Sequence, residues 1–228
     1  MLASDIKLIR SLQQKKFRRE HGLFVVEGVK MVDELKRSDY EIVKIFASED
    51  YAEAEKVSPK ELERISSLRS PNKVLALAKT RSFEPDVTKN SVLLDGVNDP
   101  GNLGTIIRLA DWYGVEQIVC SEDCVDVYNS KVVQSTMGSL FRVKVVYADL
   151  QKFVSDTKIP VYAAVMDGDE EWSSGSNYHL LMGSESHGLR GGLDREADTR
   201  ITIQKRGEAE SLNVGVATGI LLDRFSRS

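Results

Sequence analysis

The chain has 228 residues, of which 41% are hydrophobic and 29% are charged, as is typical of a globular protein with one or two domains. Its 31 basic and 35 acidic residues give a net charge of −4, which argues against a general nucleic-acid binder. No apolar run approaches the roughly 20 residues of a membrane helix, and residues 1–20 lack the apolar core of a secretory signal, so we expect a cytoplasmic protein with no membrane partner.

The first third of the chain alternates between helical and strand-like segments. Residues 5–20 predict a helix, because Ile6, Ile9 and Leu12 recur at apolar spacing. Beyond them, strand-like and helical segments follow one another as GLFVVEG, VKMVDELKRS, IVKIFAS, SPKELERISSL and KVLALAKT. The turn residues of RSFEPDVTKN then indicate a boundary, which divides the chain into domains at 1–82 and 90–228.

The second domain shows a more regular pattern. Five short aliphatic runs are typical of strands buried on both faces: SVLLDGV, QIVCSED, VKVVYAD, VYAAVMDG and HLLMGSE. Helical segments lie between them, namely LGTIIRLADWYG, NSKVVQSTMGSLF and LQKFVSDT. This alternation predicts an α/β fold, a parallel sheet with helices on both faces. Ligands of such sheets bind beyond the carboxyl ends of the strands, so the turns after the strands are the places to look for function.

Charge is unevenly distributed along the chain, and the two cysteines lie close together in sequence. Residues 1–30 hold 7 basic and 3 acidic residues, with KKFRR at Lys15–Arg19, which indicates a basic front end on an acidic body. Cys120 and Cys124 lack further metal-ligating residues nearby, so we expect two ordinary buried thiols and no metal site.

The first notable turn lies in DGVNDPGNLGTIIRLADWYGV. Its glycines could let the backbone approach a ligand, although a plain tight turn explains them equally well. The G-x-G-x-x-G fingerprint and the phosphate-loop motif are both absent, which argues against a nucleotide-binding oxidoreductase. Asn102 lies in this turn, and Arg108 follows among apolar residues. Arg108 is either a functional residue or a surface arginine whose aliphatic carbons cover apolar residues while its guanidinium stays in water.

Two later turns show similar ambiguity. LLMGSESHGL resembles a nucleophile elbow, but the glycine before Ser186 stands one position too early, so a hydrolase is not indicated. Glu185 in this turn could simply favour a helix start. In EAESLNVGVATG, Ser211 and Asn213 flank a buried-looking Leu212, and only one of the two is needed as a helix cap. The small residues after them fit a packed C-terminal helix or a dimer face.

The three turns together resemble the three motifs of the SpoU/TrmH family, which are RNA ribose 2′-O-methyltransferases of the SPOUT superfamily. The similarity covers residues 91–228 and is carried by NDPGNLGTIIRLA, LLMGSESHGL and ITIQKRGEAESLNVGVATG. The matching positions are Asn102, Gly104, Arg108, Gly183, Glu185, Gly188, Gly207, Ser211, Leu212 and Asn213. Residues 1–80, with FRREHGLFVVEG, more loosely resemble the L30e-like substrate-binding domain of ribosomal-RNA members.

This resemblance implies a trefoil-knotted α/β domain at residues 90–228. True knots are otherwise nearly absent from proteins. It also implies S-adenosyl-L-methionine (AdoMet) as methyl donor, held mainly by backbone groups, and a homodimer that packs partly through the last helix. The implied AdoMet-binding residues are Met182, Gly183, Ile203, Gly207 and Leu212. The family usually has proline where this chain has Gln204, and we expect modest consequences because that proline makes no catalytic contact.

By the same resemblance, Arg108 acts on the ribose hydroxyl, and Asn102, Glu185, Ser211 and Asn213 orient it. We expect a guanidinium fork that holds phosphate and stabilises a forming alkoxide, with Glu185 as its charge partner, because arginine scarcely deprotonates in proteins. Ser211 is then the expected helix cap, while Asn213 faces the reaction centre.

The substrate that the resemblance implies is RNA, and we expect ribosomal RNA. Phosphate contacts are expected from Lys15, Lys16, Arg18 and Arg19, the alternative being a solvated helix face. Transfer RNA is the alternative substrate, and a non-catalytic RNA-binding protein with the same fold is the alternative of another class.

Overall fold

The computed structural model describes residues 1–68, 70–173 and 175–227. The elements of the first part of the chain are α1 Ala3–Ser11, α2 Lys15–His21, β1 Leu23–Glu27, α3 Val29–Lys36, β2 Ile42–Ala47, β3 Glu55–Lys56, α4 Pro59–Ile65 and β4 Val74–Lys79. Those of the remainder are β5 Ser91–Asp95, α5 Pro100–Trp112, β6 Gln117–Cys120, α6 Ser130–Ser135, β7 Lys144–Tyr147, α7 Leu150–Asp156, β8 Val161–Asp169, β9 His179–Gly183, α8 Leu193–Glu196, β10 Thr199–Ile201 and α9 Val214–Ser226.

The first of two structural units comprises Met1–Ser82 and Asp126–Phe141. Its four-stranded sheet has the order β1-β4-β2-β3, with β4 antiparallel to both β1 and β2. The core lies between this sheet and helices α1 and α4, and it includes Ile9, Phe46 and Leu62. Ser58 begins α4 with a capping box, because its side chain accepts from the Glu61 amide while the Glu61 carboxylate accepts from the Ser58 amide.

Two helix predictions in this unit are wrong in their extent. The predicted helix at 5–20 is two helices, because the backbone is extended at Gln14. The Arg18 guanidinium donates to the carbonyls of Leu12 and Gln13, which satisfies acceptors near the end of α1. The predicted helix NSKVVQSTMGSLF ends after one and a half turns, since Met137 and Gly138 both have positive φ, and a short 3-10 turn follows at Ser139–Phe141.

The unit boundaries also differ from the prediction at residues 126–141, which the sequence assigns to the second domain. These residues belong to the first unit because α6 packs on β1. The assignment of residues 1–82 to RNA binding and of residues 90–228 to AdoMet binding stays a prediction.

The second unit comprises Phe83–Val125 and Arg142–Ser228. Its six strands are all parallel, in the order β10-β8-β9-β5-β6-β7. Leu93, Val119 and Leu181 point to one face, where they pack against α7 and α8. Helices α5 and α9 contact the sheet and pack against one another. The predicted α/β class with a doubly covered parallel sheet is confirmed, and the trefoil knot stays a prediction.

The strand order places a site in this unit. From β5 the chain proceeds to β6 and β7 on one side, while β9, β8 and β10 lie on the other side. Parallel sheets bind ligands at such reversals, beyond the carboxyl ends of the central strands. The relevant ends are those of β5 and β9, which pair in register from Ser91 with His179 to Asp95 with Gly183.

Candidate active site

The turn after β5 delivers Asn102 and Arg108 on one helix. Asp99 caps α5, since its carboxylate accepts from the Asn102 amide at 2.9 Å, and Pro100 occupies the first helical turn. Asn102 therefore lies at the helix start, next to the carboxyl end of β5. Arg108 lies about two turns later and is exposed.

The turn after β9 is a closed loop that presents Glu185. Ser184 and Gly188 exchange two backbone hydrogen bonds, of 3.2 and 2.9 Å, across the three residues between them. A Cβ at Gly183 would lie 2.2 Å from the carbonyl carbon of Gly188, so no side chain fits there. Gly188 itself has a φ of +61°, which favours glycine. The two glycines thus permit the loop that exposes Glu185 at the sheet edge.

The third turn ends in Asn213, which is the cap of α9. Its Oδ1 accepts from the amides of Gly215 and Val216, at 3.0 and 3.3 Å. The expectation that Ser211 caps this helix is wrong, because the cap position falls two residues later, next to the first helical residue. Asn213 has two roles: its Oδ1 caps α9, and its Nδ2 remains available to donate hydrogen bonds to other side chains.

These three side chains form one hydrogen-bonded cluster. Oε1 of Glu185 accepts from Nδ2 of Asn102 at 3.0 Å and from Nδ2 of Asn213 at 2.8 Å. Asn213 also donates to Oδ1 of Asn102 at 2.8 Å, which closes a triangle. The Val214 amide donates to the same Glu185 oxygen at 3.4 Å. Each motif contributes one corner of this Asn102–Glu185–Asn213 triangle.

The expected charge pair between Glu185 and Arg108 is not formed. Within the described part of the chain, Arg108 makes no ion pair or hydrogen bond, and the four donor contacts of Glu185 and Asn102 come from amides. The carboxylate instead orders neutral amides, because Asn102 and Asn213 lie at the starts of α5 and α9 beside Glu185, whereas Arg108 lies about two turns further along α5 on an exposed side. Among the described residues, no cationic side chain pairs with Glu185, so its negative charge is not neutralised by an ion pair.

A cavity of about 500 Å³ opens beside the triangle. Its lining includes all five residues expected to bind AdoMet: Met182, Gly183, Ile203, Gly207 and Leu212. Glu185 and Ser211 also line it. Leu212 is 45% exposed rather than buried, because its side chain belongs to the cavity wall and not to the core. The size lies within the range of small-molecule sites, roughly 300–1,000 Å³.

The sequence missed some of the polar contacts around this cavity. Gln204, at the position where the family usually has proline, donates to Glu170 at 3.0 Å and accepts from the Arg206 fork at 3.0 and 3.2 Å. Arg190 bonds to two carboxylates behind the Glu185 loop. The bond from Gln204 to Glu170 and the bonds from Arg190 leave no periodic signal, since these partners are distant in sequence and become neighbours only in the fold.

The basic residues predicted to bind RNA divide into two kinds. Lys16 and Arg19 are exposed on α2, and Lys15 is half-buried. Arg18 is only 4% exposed, and its guanidinium donates to Asp126 at 2.5 and 2.8 Å as well as to the two carbonyls that end α1. The prediction that Arg18 contacts RNA is therefore wrong, because its donors are already used inside the first unit.

Cys120 and Cys124 are free and buried, as predicted. In the ranges 1–68, 70–173 and 175–227, no three side chains of His, Cys, Asp or Glu are grouped to hold a metal ion. No helix across those same ranges has the length and apolar character to traverse a bilayer.

Two family models match the chain. The model of the SpoU rRNA methylase family matches residues 89–223, which span all three turns of the site. A model described as an MRM3-like substrate binding domain matches residues 3–76.

Individual proteins match over nearly the whole chain. RlmP of Bacillus subtilis, a 23S rRNA guanosine 2′-O-methyltransferase, is 27% identical and covers 95% of this chain and 94% of its own. A TrmH-family structure from Porphyromonas gingivalis is 34% identical with a TM-score of 0.90, covering 100% of this chain and 98% of that one. An AdoMet-bound rRNA methyltransferase from Sinorhizobium meliloti is 30% identical with a TM-score of 0.88, covering 99% and 95%.

Proposed function

The chain belongs to the SpoU rRNA methylase family, and from this premise we propose that it transfers a methyl group from AdoMet to a ribose 2′-hydroxyl of ribosomal RNA. The observation that carries the proposal is the Asn102–Glu185–Asn213 triangle at the rim of the cavity. A chain that only bound RNA would have no need to assemble three motifs around one carboxylate. A ribosomal substrate would place the protein in the cytoplasm.

The cavity suits AdoMet in size and in chemistry. Its wall combines apolar side chains with backbone at Gly183, Gly188 and Gly207, where the lack of side chains lets a ligand approach the main chain closely. Met182, Ile203 and Leu212 would hold the adenosine part through apolar contact. When bound, AdoMet supplies an electrophilic methyl group on a positively charged sulfur.

The chain's own residues then have two tasks. The triangle, anchored to two helix starts, orients the ribose at a set distance from the cavity. Oε2 of Glu185 accepts no hydrogen bond from the described residues and is free to receive a ribose hydroxyl. Arg108 would bind the adjacent phosphate with its fork of donors and stabilise the charge that develops on the ribose oxygen.

We propose a homodimer as the working form, because the exposed face of α5 and α9 is apolar around Arg108. Trp112 is 83% exposed, and Val216 and Ile220 on α9 are exposed as well. The two helices pack closely, since a Cβ at Gly219 would lie 3.3 Å from Leu109, so their outer faces form one surface. A partner on this surface would cover the apolar groups and complete the surroundings of Arg108. Replacement of both Trp112 and Ile220 by Glu should give monomers in sedimentation equilibrium.

The reaction is tested by transfer of labelled methyl from AdoMet to separated ribosomal and transfer RNAs. We expect alkali-resistant label on ribosomal RNA, reduced about 10²–10⁴-fold by Arg108→Ala with AdoMet binding retained. Arg108→Lys keeps the charge but not the planar fork, so it should recover only part of the rate. Label confined to transfer RNA would replace the proposed substrate, and failure to bind AdoMet would overturn the reaction itself.

A further inference from the structure

Arg190 stands directly after the closed loop that presents Glu185. Its backbone amide donates to Oδ2 of Asp95 at 2.7 Å, and its Nε donates to Oδ1 of the same residue at 3.0 Å. A third donor, Nη2, also contacts that oxygen. Asp95 is the last residue of β5, and its side chain is only 4% exposed. The loop after β9 is therefore fastened to the end of β5 through a buried carboxylate.

The outer edge of the same guanidinium reaches the turn after β6. Nη1 donates to Oδ2 of Asp123 at 2.7 Å, and Nη2 donates to Oδ1 at 3.0 Å, which is the parallel geometry of a strong arginine–carboxylate pair. Arg190 accordingly holds the pKa of Asp123 well below its usual range. Ser121 donates to Asp123 at 2.7 Å and accepts from the Gly96 amide at 2.9 Å. The Arg190 guanidinium thus joins the segments that follow β5, β6 and β9.

The turn after β5 is shaped to receive this guanidinium. Gly96 has a φ of +70°, and a Cβ there would lie 3.0 Å from Nη2 of Arg190, in close conflict with it. The next residue, Val97, is held by Cys124, whose sulfur accepts from the Val97 amide at 3.2 Å. The turn continues within five residues to Asn102. A change in the position of Arg190 would therefore displace both Asn102 and Glu185.

We propose that Arg190 is a positioning residue for methyl transfer, which sets the distance between Asn102 and Glu185 by joining Asp95 and Asp123. The inference rests on the proposed function. Arg190 lies outside the cavity lining, so it acts through the two turns and not on the substrates. A displacement of about 1 Å in an aligned site costs on the order of 100-fold in rate.

The experiment compares Arg190→Ala and Arg190→Lys with a matched control, Arg200→Ala. Arg200 also pairs with two carboxylates, Asp167 and Asp194, and it is 41% exposed against 43% for Arg190, but its partners lie in β8 and α8 and not in the turns after β5 and β6. Arg190→Ala should lower kcat about 10–100-fold while KM for RNA and Kd for AdoMet stay within about threefold. Lysine should restore part of the rate, since it keeps charge without the fork. The control should remain within about twofold.

A milder variant, Asp123→Asn, and a measurement of amide hydrogen exchange test the same proposal independently. If Arg190→Ala does not fold, Asp123→Asn removes only the outer contact and should still lower kcat several-fold. Without any RNA, amide hydrogen exchange at residues 184–190 and 96–102 should rise together in the Arg190 variants. Unchanged kcat in a folded Arg190→Ala protein, or an equal loss in Arg200→Ala, would overturn the proposal. If exchange rises in the Arg190 variants as expected but the wild-type protein transfers no methyl group, the bridge made by Arg190 is retained and the proposed function is rejected.

Discussion

The buried charges of the first unit and the exposed carboxylate of the candidate site in the second unit are used in opposite ways. In the first unit, the charges of Glu27 and Arg18 are both buried and fully used. Glu27 accepts from the hydroxyl groups of Ser66 and Ser67 at 2.6 and 2.7 Å and from the Ser67 amide at 2.8 Å. In the second unit, Glu185 is exposed beside a cavity, and only one of its oxygens is engaged.

The difference shows that residue type does not distinguish scaffold from site. A buried charge must be paired by its own fold, because an unpaired one is costly, so nothing remains for a ligand. An exposed carboxylate that is ordered by neutral amides keeps its charge and an open oxygen. Four changes test whether this contrast between the units is real.

The largest expected effect is on Glu185. Glu185→Ala removes the acceptor that holds Asn102 and Asn213, and we expect the methyl-transfer rate to fall about 10²–10³-fold. Glu185→Gln keeps an acceptor but loses the charge, a difference of roughly 1–2 kcal/mol and hence about tenfold in rate. Turnover and AdoMet affinity should be measured separately, with exposed Glu196→Ala as the control. A rate unchanged in the glutamine variant would show that the carboxylate charge plays no part.

The second change tests the scaffold side of the contrast. Arg18→Ala leaves Asp126 and two helix-end carbonyls without their donor, so it should lower the free energy of unfolding by about 3 kcal/mol. Arg19→Ala, at the neighbouring exposed position, should alter it by less than about 0.5 kcal/mol. Urea unfolding of both variants makes the comparison. Equal stabilities would mean that the Arg18 contacts carry no net energy.

The third change concerns a buried histidine of the second unit. Burial lowers the pKa of His179 to about 4, and its Nε2 lies 2.8 Å from the Thr157 hydroxyl. The unfolded chain takes up a proton near pH 6.5, whereas the folded chain resists it until about pH 4, so stability is full above pH 6.5 and is lost as pH falls toward 4. The loss approaches about 3 kcal/mol. His179→Gln should flatten the dependence of unfolding free energy on pH in that window, and an unchanged slope would reject the assignment.

The smallest effect is expected on α2. If Lys16 and Arg19 contact phosphate, replacing both with Ala should reduce the slope of log binding constant against log salt by about 1–2. AdoMet binding should not change. The control is exposed Lys60→Ala, and an equal reduction there would indicate diffuse attraction in place of contact by α2.

Much of the fold could be predicted because the strands are buried runs with turn residues between them. The three motifs were also readable, since the glycines at 183 and 188 are local requirements of a tight turn, although the cap of α9 was assigned to Ser211 and lies at Asn213. The break between α1 and α2 was not read, because apolar residues recur across it; the Arg18 guanidinium bonds to the carbonyls of Leu12 and Gln13 there and also reaches Asp126, 108 residues away in sequence. The placement of residues 126–141 in the first unit was not read either, because it depends on the packing of α6 on β1.

By itself, then, the sequence determined the α/β class, the order of elements in the second unit and the residue types of the candidate site. These depend on hydrophobic periodicity and on local backbone geometry, which act over a few residues. Only the tertiary structure decided which polar groups meet: Glu185 with two asparagines instead of Arg108, Arg18 with Asp126, and Arg190 with Asp95 and Asp123. Hydrogen bonds require donor and acceptor within about 3 Å, and strand order and helix packing alone bring residues so far apart in the chain to that distance.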